Sequence, residues 1–409
     1  MTLAALGLVT ITAYGSWFYG FGVLVSPITD DTGWSTGALG LTFGVAQVIT
    51  GAGAFVAGRL LDRFGGAGPF VPQAVLGGGL LLGATWADHP LLFGALYALG
   101  AGIVGATGFY HVTTVAAARS GGTNPERSIA ILTMIGAFCS PIFLPLTAWM
   151  VEAWDWRVAG RVLAVAAIAG GLLGAWLARG GASPGSGPSV DPVAAVRAAL
   201  GDRSVRRMLG VYMLAGMSFG AVLVYQVPVM VAAGLTLGTA GAVGGLRGFC
   251  QIFGRAGLTG AIGRWGARSL LMTAYAMSAV GVVLLLIDHI VAAVAFAILA
   301  GAGLGATSPL QVIHAQAYFD EGDLGLLMGM QGAAIGMSGG IGPFVGGVLR
   351  DATDSWTPVV LFGAAALAGA TVLLSSSPRP PERAVVHGEH LVGGSDGDRS
   401  VRDRQDGDA

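Results

Sequence analysis

The sequence predicts an all-α membrane protein with twelve transmembrane helices, arranged as two six-helix parallel repeats. Only 11% of its 409 residues are charged and 54% are hydrophobic, whereas soluble domains carry about 25% charged residues. Apolar stretches of about 20 residues, the length that crosses a bilayer, recur along the chain. Short motifs of the first half also return in the second half. Most of the surface must therefore face lipid.

The apolar stretches define twelve predicted spans. In the first half they are Leu3–Val25, Thr36–Gly58, Pro69–Ala87, Pro90–Ala117, Ser128–Val151 and Val158–Ala178. In the second half they are Met208–Ala233, Thr239–Ile262, Ser269–Ile287, Ile290–Tyr318, Leu324–Leu349 and Pro358–Leu374.

The spans group into two halves joined by a polar linker. Residues 1–178 form the predicted N-terminal six-helix half, and residues 208–376 form the C-terminal half. Residues 179–207 are predicted to be a cytoplasmic linker. Residues 377–409 are rich in Pro, Gly and charge, a composition typical of a disordered tail.

Arginine is concentrated in alternate loops and in the tail, for example at Arg59, Arg63, Arg264 and Arg268. By the positive-inside rule, these loops and both termini are expected in the cytoplasm. The acidic loop Phe319–Asp323 does not fit the bias, but acidic residues contribute little to the rule. We expect an integral protein of a bacterial inner (plasma) membrane, surrounded by the lipid bilayer and monomeric.

Several motifs repeat at an offset of about 200 residues. They are Asp88-His89 with Asp288-His289, Gly105-Ala106-Thr107 with Gly305-Ala306-Thr307, Ile135-Gly136 with Ile335-Gly336, Trp156 with Trp356, and Arg63-Phe64-Gly65 with Arg264-Trp265-Gly266. An even number of spans per half gives both halves the same orientation. This is the parallel repeat, related by an axis along the membrane normal.

Composition argues against several classes of partner. The net charge is −1 and no basic domain is present, so nucleic acid is not an expected partner. Cys139 and Cys250 stand alone in apolar stretches, which predicts neither a disulfide nor a metal site. No cofactor is expected. The N-terminus lacks a basic signal-peptide region, so the first apolar segment is interpreted as a retained helix.

The polar residues of the eighth span are the leading candidates for a binding site. Arg247, Gln251 and Arg255 recur at a spacing of four, so they share one face of a helix. Counting back from Arg264 places Arg255 roughly 13 Å inside the bilayer, where an unpaired charge is costly. No Asp or Glu lies well inside any span, so an anionic substrate is predicted to pair with Arg255 bidentately. The alternative is that Arg255 bonds backbone carbonyls and that Arg247 snorkels.

Other polar residues are weaker candidates. Substrate contacts are predicted for Tyr14, Tyr110 and Tyr225, with Tyr19 and Gln226 as further cavity-lining candidates. Each of these alone is also a common packing or interface residue. His111 and His314 are proton-coupling candidates because histidine titrates near neutral pH, although both lie near a cytoplasmic end.

The loop between the second and third spans, Gly58-Arg59-Leu60-Leu61-Asp62-Arg63-Phe64-Gly65, resembles the cytoplasmic loop motif of the major facilitator superfamily. The resemblance implies a gate or loop role for Gly58, Asp62, Arg63 and Gly65. The second copy keeps Arg264 but has Gly263 in place of the acid, which implies a weaker latch there.

The eighth span, with Gly254-Arg255 followed by Arg264-Trp265-Gly266, resembles that of the monocarboxylate transporter and oxalate–formate antiporter families. The resemblance implies that Arg255 holds a substrate carboxylate. This chain departs from the first family by having Gln251 and Tyr14 at acidic positions. It also lacks the basic residue that oxalate carriers have in the eleventh span.

Taken together, these features predict a secondary active transporter of a small organic anion, with a monocarboxylate as the leading class. It would work by alternating access, coupled to protons or by exchange. The alternative is an efflux carrier for amphipathic drug-like compounds. A membrane enzyme is disfavoured because Asp88-His89 and Asp288-His289 lie in short outer turns without a nucleophile. A non-transporting sensor is also disfavoured.

Overall fold

The structure is a computed structural model that describes residues 3–65, 67–120, 125–177, 196–197, 200–316 and 324–377. Nearly all of these residues are helical, and no β-strand occurs among them. Met1–Pro378 form one compact unit. Most of the predicted linker, nearly all of the predicted tail and the acidic loop lie outside the described residues.

Six helical spans form the first half, and four of them are interrupted. α1 consists of an α-helix (Leu3–Ala13), a π-helical turn (Tyr14–Tyr19) and a second α-helix (Gly20–Thr32), and α3 has the same three parts (Ala67–Pro72, Gln73–Gly78, Gly79–Ala84). α4 (Pro90–Gly108, Tyr110–Ser120) and α5 (Pro125–Gly136, Cys139–Ala153) have two parts each. α2 (Thr36–Phe64) and α6 (Trp156–Leu177) are continuous.

Six further spans form the second half. They are α7 (Arg203–Ala232), α8 (Leu237–Arg255), α9 (Leu258–Val283, ending in the 3-10 turn Leu284–Leu286), α10 (Ile290–Gln316), α11 (Leu324–Thr353) and α12 (Thr357–Ser375). The all-α fold with twelve spans is therefore confirmed.

Ten of the helical spans in the described chain are long and apolar enough to cross a membrane. The two others are α3, whose apolar segment Gly68–Ala84 is shorter, and α8. The 19 residues of α8 include Arg247, Gln251 and Arg255, which lower its hydropathy. A helix this polar is stable in the membrane only where other helices or water cover its polar face.

The boundary of the eighth span differs from the prediction. The helix was expected to continue to Ile262, but α8 ends at Arg255 because Ala256 is extended and Gly257 has a φ of 76°. α9 then begins at Leu258 and contains a second break at Gly266, with a φ of 75°. Both breaks occur at glycine, which accepts positive φ without steric cost.

The internal repeat extends to local structure. His89 and His289 each accept a hydrogen bond at Nδ1 from the backbone N–H two residues on, at 3.3 and 3.1 Å. They therefore cap the first turns of α4 and α10 in the same way. Similarly, the guanidiniums of Arg63 and Arg264 each lie 5.2 Å from the ring centroid of the following aromatic residue.

The two halves contact each other at the side of the membrane opposite to the start of α1 and the end of α12. We call this the distal side and the other the terminal side. Towards the distal side α2 packs on α11 through glycine: a Cβ added to Gly44 would lie 2.7 Å from the Gly340 carbonyl oxygen. On α8, a Cβ at Gly241 would lie 2.6 Å from that of Ala148 on α5. Small residues thus let these backbones approach closely.

Two carboxylates reinforce this distal contact. Asp351 of α11 accepts hydrogen bonds from the backbone N–H groups of Thr36 and Gly37 at the start of α2, at 2.9 and 2.7 Å. Glu152 of α5 accepts one from the N–H of Gly238 at the start of α8, at 2.7 Å. In each case a carboxylate of one half caps a helix N-terminus of the other half. Because α5 corresponds to α11 and α2 to α8, the two contacts follow the repeat.

Towards the terminal side the same helices separate. Leaving aside the backbone of their own helices, no atom of the described residues lies within 4 Å of the place where a Cβ would stand at Gly51 and Gly58 on α2, or at Gly332 and Gly336 on α11. The halves are therefore closed at the distal side and open at the terminal side.

Candidate functional site

The N-terminal half contributes an aromatic wall built on irregular helix turns. The π-helical turn Tyr14–Tyr19 interrupts α1, and α4 is interrupted at Phe109, whose backbone is extended. The rings of Tyr14 and Phe109 stack with their centroids 3.7 Å apart, and the centroid of Tyr110 lies 5.2 Å from that of Tyr14. Such π-helical turns frequently occur at functional sites.

A third irregular helix supports this wall. The π-helical turn of α3 begins at Gln73, which is fully buried and accepts a 3.4 Å hydrogen bond from the Thr107 hydroxyl. A Cβ at Gly108 would lie 2.9 Å from the Gln73 Oε1 and 2.5 Å from the Ala13 Cβ. Thus α1, α3 and α4 meet where each departs from regular α-helix.

The C-terminal half contributes buried positive charge. Arg247 of α8 is 3% exposed, and its Nε donates a 2.8 Å hydrogen bond to Oε1 of Gln226 on α7. Its Nη2 is also buried, and no group of the described residues forms a hydrogen bond with it. Leaving a donor of a buried cation unsatisfied is costly, so Arg247 is the residue of this half most in need of an acceptor.

Arg255 lies two helical turns further along α8 and is exposed. Its Nε donates a 3.3 Å hydrogen bond to the Gly305 carbonyl of α10. This contact agrees with the alternative stated above, in which Arg255 bonds backbone carbonyls. The guanidinium of Arg255 is therefore bonded to a helix of its own half.

Arg247 is the deeper of the two guanidiniums, which reverses the expected order. At ~1.5 Å rise per residue, Arg247 lies about 15 Å and Arg255 about 27 Å from the start of α8 at Leu237. The expected depth of Arg255 assumed an uninterrupted helix to Arg264, whereas the chain breaks at Gly257.

Neither guanidinium has a carboxylate partner in the part of the chain that the structure describes. Two ion pairs of the described chain join Arg157 to Asp88 and Arg350 to Asp354, both at distal turns. The candidate site therefore comprises two cations of the C-terminal half and the aromatic wall of the N-terminal half. Gln251, between the two arginines on α8, is half-buried.

Tyr225 and the two histidines are placed elsewhere. Tyr225 is 1% exposed and its hydroxyl donates a 2.5 Å hydrogen bond to the Pro343 carbonyl, so it packs within the distal contact. His314 is buried in the C-terminal half, with Nδ1 2.9 Å from the Tyr212 hydroxyl. His111 is exposed, and its Nε2 lies 2.9 Å from the Ala106 carbonyl oxygen.

The predicted gate motif lies at the terminal end of α2. Asp62 is half-buried, Arg63 is exposed and Gly65 takes a positive φ of 66° at the turn into α3. At Gly58 an added Cβ would meet no atom of the described residues within 4 Å. Arg264 precedes the corresponding positive-φ glycine, Gly266.

Sequence reasoning missed Phe109 and the two distal carboxylates. Phe109 occupies the break that follows the repeated Gly105-Ala106-Thr107, and the Gly108 before it was an available signal. Glu152 and Asp351 were grouped with acids at span ends, because spacing alone does not show that a carboxylate reaches a helix of the other half.

A family model described as the Major Facilitator Superfamily matches residues 6–262 and 208–398. The chain belongs to the Major Facilitator Superfamily. This family and the twelve-span fold make the protein a membrane transporter rather than an enzyme. No curated protein matches the sequence.

Solved structures of other superfamily transporters share the fold. The nucleoside transporter NupG, as a D323A mutant, has a TM-score of 0.81 at 12% identity, covering 92% of this chain and 98% of that chain. A D-xylose–proton symporter has a TM-score of 0.69 at 13% identity, covering 93% and 98%. A bacterial homologue of the human lysosomal transporter Spinster, in an inward-facing and occupied conformation, has a TM-score of 0.68 at 14% identity, covering 92% and 96%. At these identities the likeness shows the fold alone.

Proposed function

We propose that this transporter carries a small organic anion, with a monocarboxylate as the leading class. The observation that carries the proposal is the Arg247 guanidinium, which is buried beside a neutral amide and keeps an unsatisfied Nη2. A carboxylate is a planar acceptor that matches a guanidinium fork bidentately. Binding such an anion would satisfy the remaining donor and cancel the charge.

The placement of the two arginines suggests an order of contacts. Arg255 is exposed near the terminal end of α8, whereas Arg247 is buried nearer to its distal end. We propose that Arg255 attracts the anion from the open side and that Arg247 holds it in the occluded position. Tyr14, Tyr19 and Tyr110 then cover its apolar part. Alternating access exposes this site to the distal side.

The proposal includes orientation in the cell. If both termini lie in the cytoplasm of a bacterial inner membrane, the terminal side is cytoplasmic and the structure is open inward. A proton or a second anion would accompany the substrate.

Uptake into proteoliposomes tests the proposal. The purified transporter would be given a panel of labelled monocarboxylates, with and without a pH gradient. Each charged hydrogen bond contributes about 1.5–3 kcal/mol, so Arg247→Ala and Arg255→Ala should raise KM by roughly 10- to 100-fold.

Arg203→Ala is the matched control, because Arg203 is exposed at the start of α7, about 35 Å along that helix from Gln226. It should transport like the native protein. Native-like transport by Arg255→Ala would remove that residue from the mechanism. If both site variants transported normally, the anion proposal would be wrong.

The aromatic wall favours a second candidate, efflux of amphipathic drug-like compounds. Stacked rings such as those of Tyr14 and Phe109 contact flat apolar molecules well. Such transport should be insensitive to Arg247→Ala, which separates it from anion transport in the same assay.

A further inference from the structure

Gln226 provides the protein's own acceptor for the buried charge of the site. It is 1% exposed on α7, and its Oε1 accepts the 2.8 Å hydrogen bond from the Nε of Arg247. Its Nε2 donates a 3.4 Å hydrogen bond to the Leu223 carbonyl. Gly244 of α8 lies beside it, since a Cβ there would be in van der Waals contact with the Gln226 amide carbon, at 3.8 Å. The amide is therefore held in one orientation.

The position of Gln226 would suit a carboxylate equally well in shape. Glutamate has the same length and branching, and its Oε1 would accept the same hydrogen bond, while the 3.4 Å donation from the amide Nε2 to the Leu223 carbonyl would be lost. It would also add a negative charge in contact with Arg247, and a buried cation is ordinarily paired in this way. The amide satisfies one N–H of the guanidinium but leaves its charge uncancelled.

We infer that Gln226 determines the charge selectivity of the transporter: its neutral amide orients Arg247 while leaving the positive charge for an anionic substrate. This inference rests on the proposed anion transport and adds the residue that makes the site require an anion. Gln226 acts through Arg247, so it is a positioning residue with no required substrate contact.

Two substitutions separate charge from shape. Gln226→Glu keeps the shape and neutralises Arg247, whereas Gln226→Met keeps the approximate volume and removes the acceptor without adding charge. A purely structural role predicts that both variants weaken transport of every substrate equally. A role in charge selectivity predicts that only Gln226→Glu changes which substrates are preferred.

The measurement is uptake of a labelled monocarboxylate and of its uncharged amide analogue, by the native transporter and both variants in proteoliposomes. In Gln226→Glu the preference for carboxylate over amide should fall by roughly 10- to 100-fold. The guanidinium of Arg247 would already be paired with a carboxylate of the protein, so a carboxylate ligand would gain less from it. Gln226→Met should keep the native preference at a lower overall rate. Thermal unfolding of ligand-free protein is a second readout, in which Gln226→Glu should raise the melting temperature and Gln226→Met should lower it.

The outcomes are distinct. If the native protein transports the carboxylate and Gln226→Glu keeps the native preference, the role of Gln226 is wrong and anion transport stands. An equal loss of preference in both variants also overturns it, since shape alone would explain the result. If the native protein transports no carboxylate in the panel, the proposed function fails and this inference fails with it.

Discussion

The distal carboxylate contacts should set the balance between the two open states of the transporter. Asp351 accepts two hydrogen bonds from the start of α2 in the other half, and both exist only while the distal side is closed. Asp351→Asn removes the charge and leaves one acceptor oxygen for two donors. Glu152→Gln removes a charge but keeps the single acceptor that bonds Gly238. The Asp351 change should therefore be the larger.

The magnitude follows from these contacts. A carboxylate at a helix N-terminus contributes about 0.3–1 kcal/mol when exposed, and a charged hydrogen bond contributes more. Both side chains are exposed, so solvent screening reduces the total. We expect Asp351→Asn to cost the distal-closed state about 1 kcal/mol, a roughly five-fold shift in population. Glu152→Gln should cost about 0.4 kcal/mol, a roughly two-fold shift. Because the two residues are distant from each other, the free-energy effects of the two substitutions should be additive in the double variant.

The assay is a distance measurement across the distal side by double electron–electron resonance. Spin labels would be placed at the exposed positions Leu91 and Val291, which begin corresponding helices of the two halves. The free cysteines Cys139 and Cys250 would first be replaced. A longer-distance population should grow in the order native, Glu152→Gln, Asp351→Asn, double variant.

Asp354→Asn is the matched control. Asp354 is on the same distal turn as Asp351, but its partner is Arg350 of its own half. The control removes the same charge without touching the contact between halves, so its distances should stay native. Equal distance distributions for Asp351→Asn and Asp354→Asn would refute the reasoning.

Three further outcomes are expected. Gly44→Ala should weaken distal closure and slow substrate exchange at least several-fold, because its Cβ would meet the Gly340 carbonyl at 2.7 Å. Exchange of a labelled substrate would measure this rate, and a native rate would contradict the prediction. If the transporter is proton-coupled through His111, His111→Gln should abolish stimulation by a pH gradient while sparing counterflow, with unchanged stimulation as the contrary result. Truncating His314 to Ala removes its contact with the Tyr212 hydroxyl and should destabilise the protein by about 1–3 kcal/mol, read as a lower melting temperature.

Much of the fold was predictable because lipid imposes a simple pattern on sequence. A helix that crosses hydrocarbon must be apolar over a nearly fixed length, so spans such as Thr36–Gly58 and Ile290–Tyr318 could be located by composition. The repeat was predictable for a related reason: turns built alike, as at His89 and His289, keep the same residues. The α8 break at Gly257 was not predictable, since a glycine inside an apolar stretch is compatible with an unbroken membrane helix.

The sequence indicated which residues belong to the candidate site, but not their depths or their contacts. Intramembrane charge identified Arg247 and Arg255 as functional candidates. Their depths depended on the helix break, and the partnership of Arg247 with Gln226 depended on contacts between α7 and α8. The same limit applied to Tyr225, which sequence cannot assign to a cavity or to a packed contact.

The glycines along α2 and α11 form two sets, one in contact with the other half and one without such a contact. Gly44 and Gly340 are in contact, whereas a Cβ at Gly51 or Gly336 would meet no atom of the described residues within 4 Å, although both sets lie on the same pair of helices. Glycine is useful in a membrane helix where another backbone approaches closely. Gly51 and Gly336 would therefore allow α2 and α11 to pack together at the terminal side if that side closed.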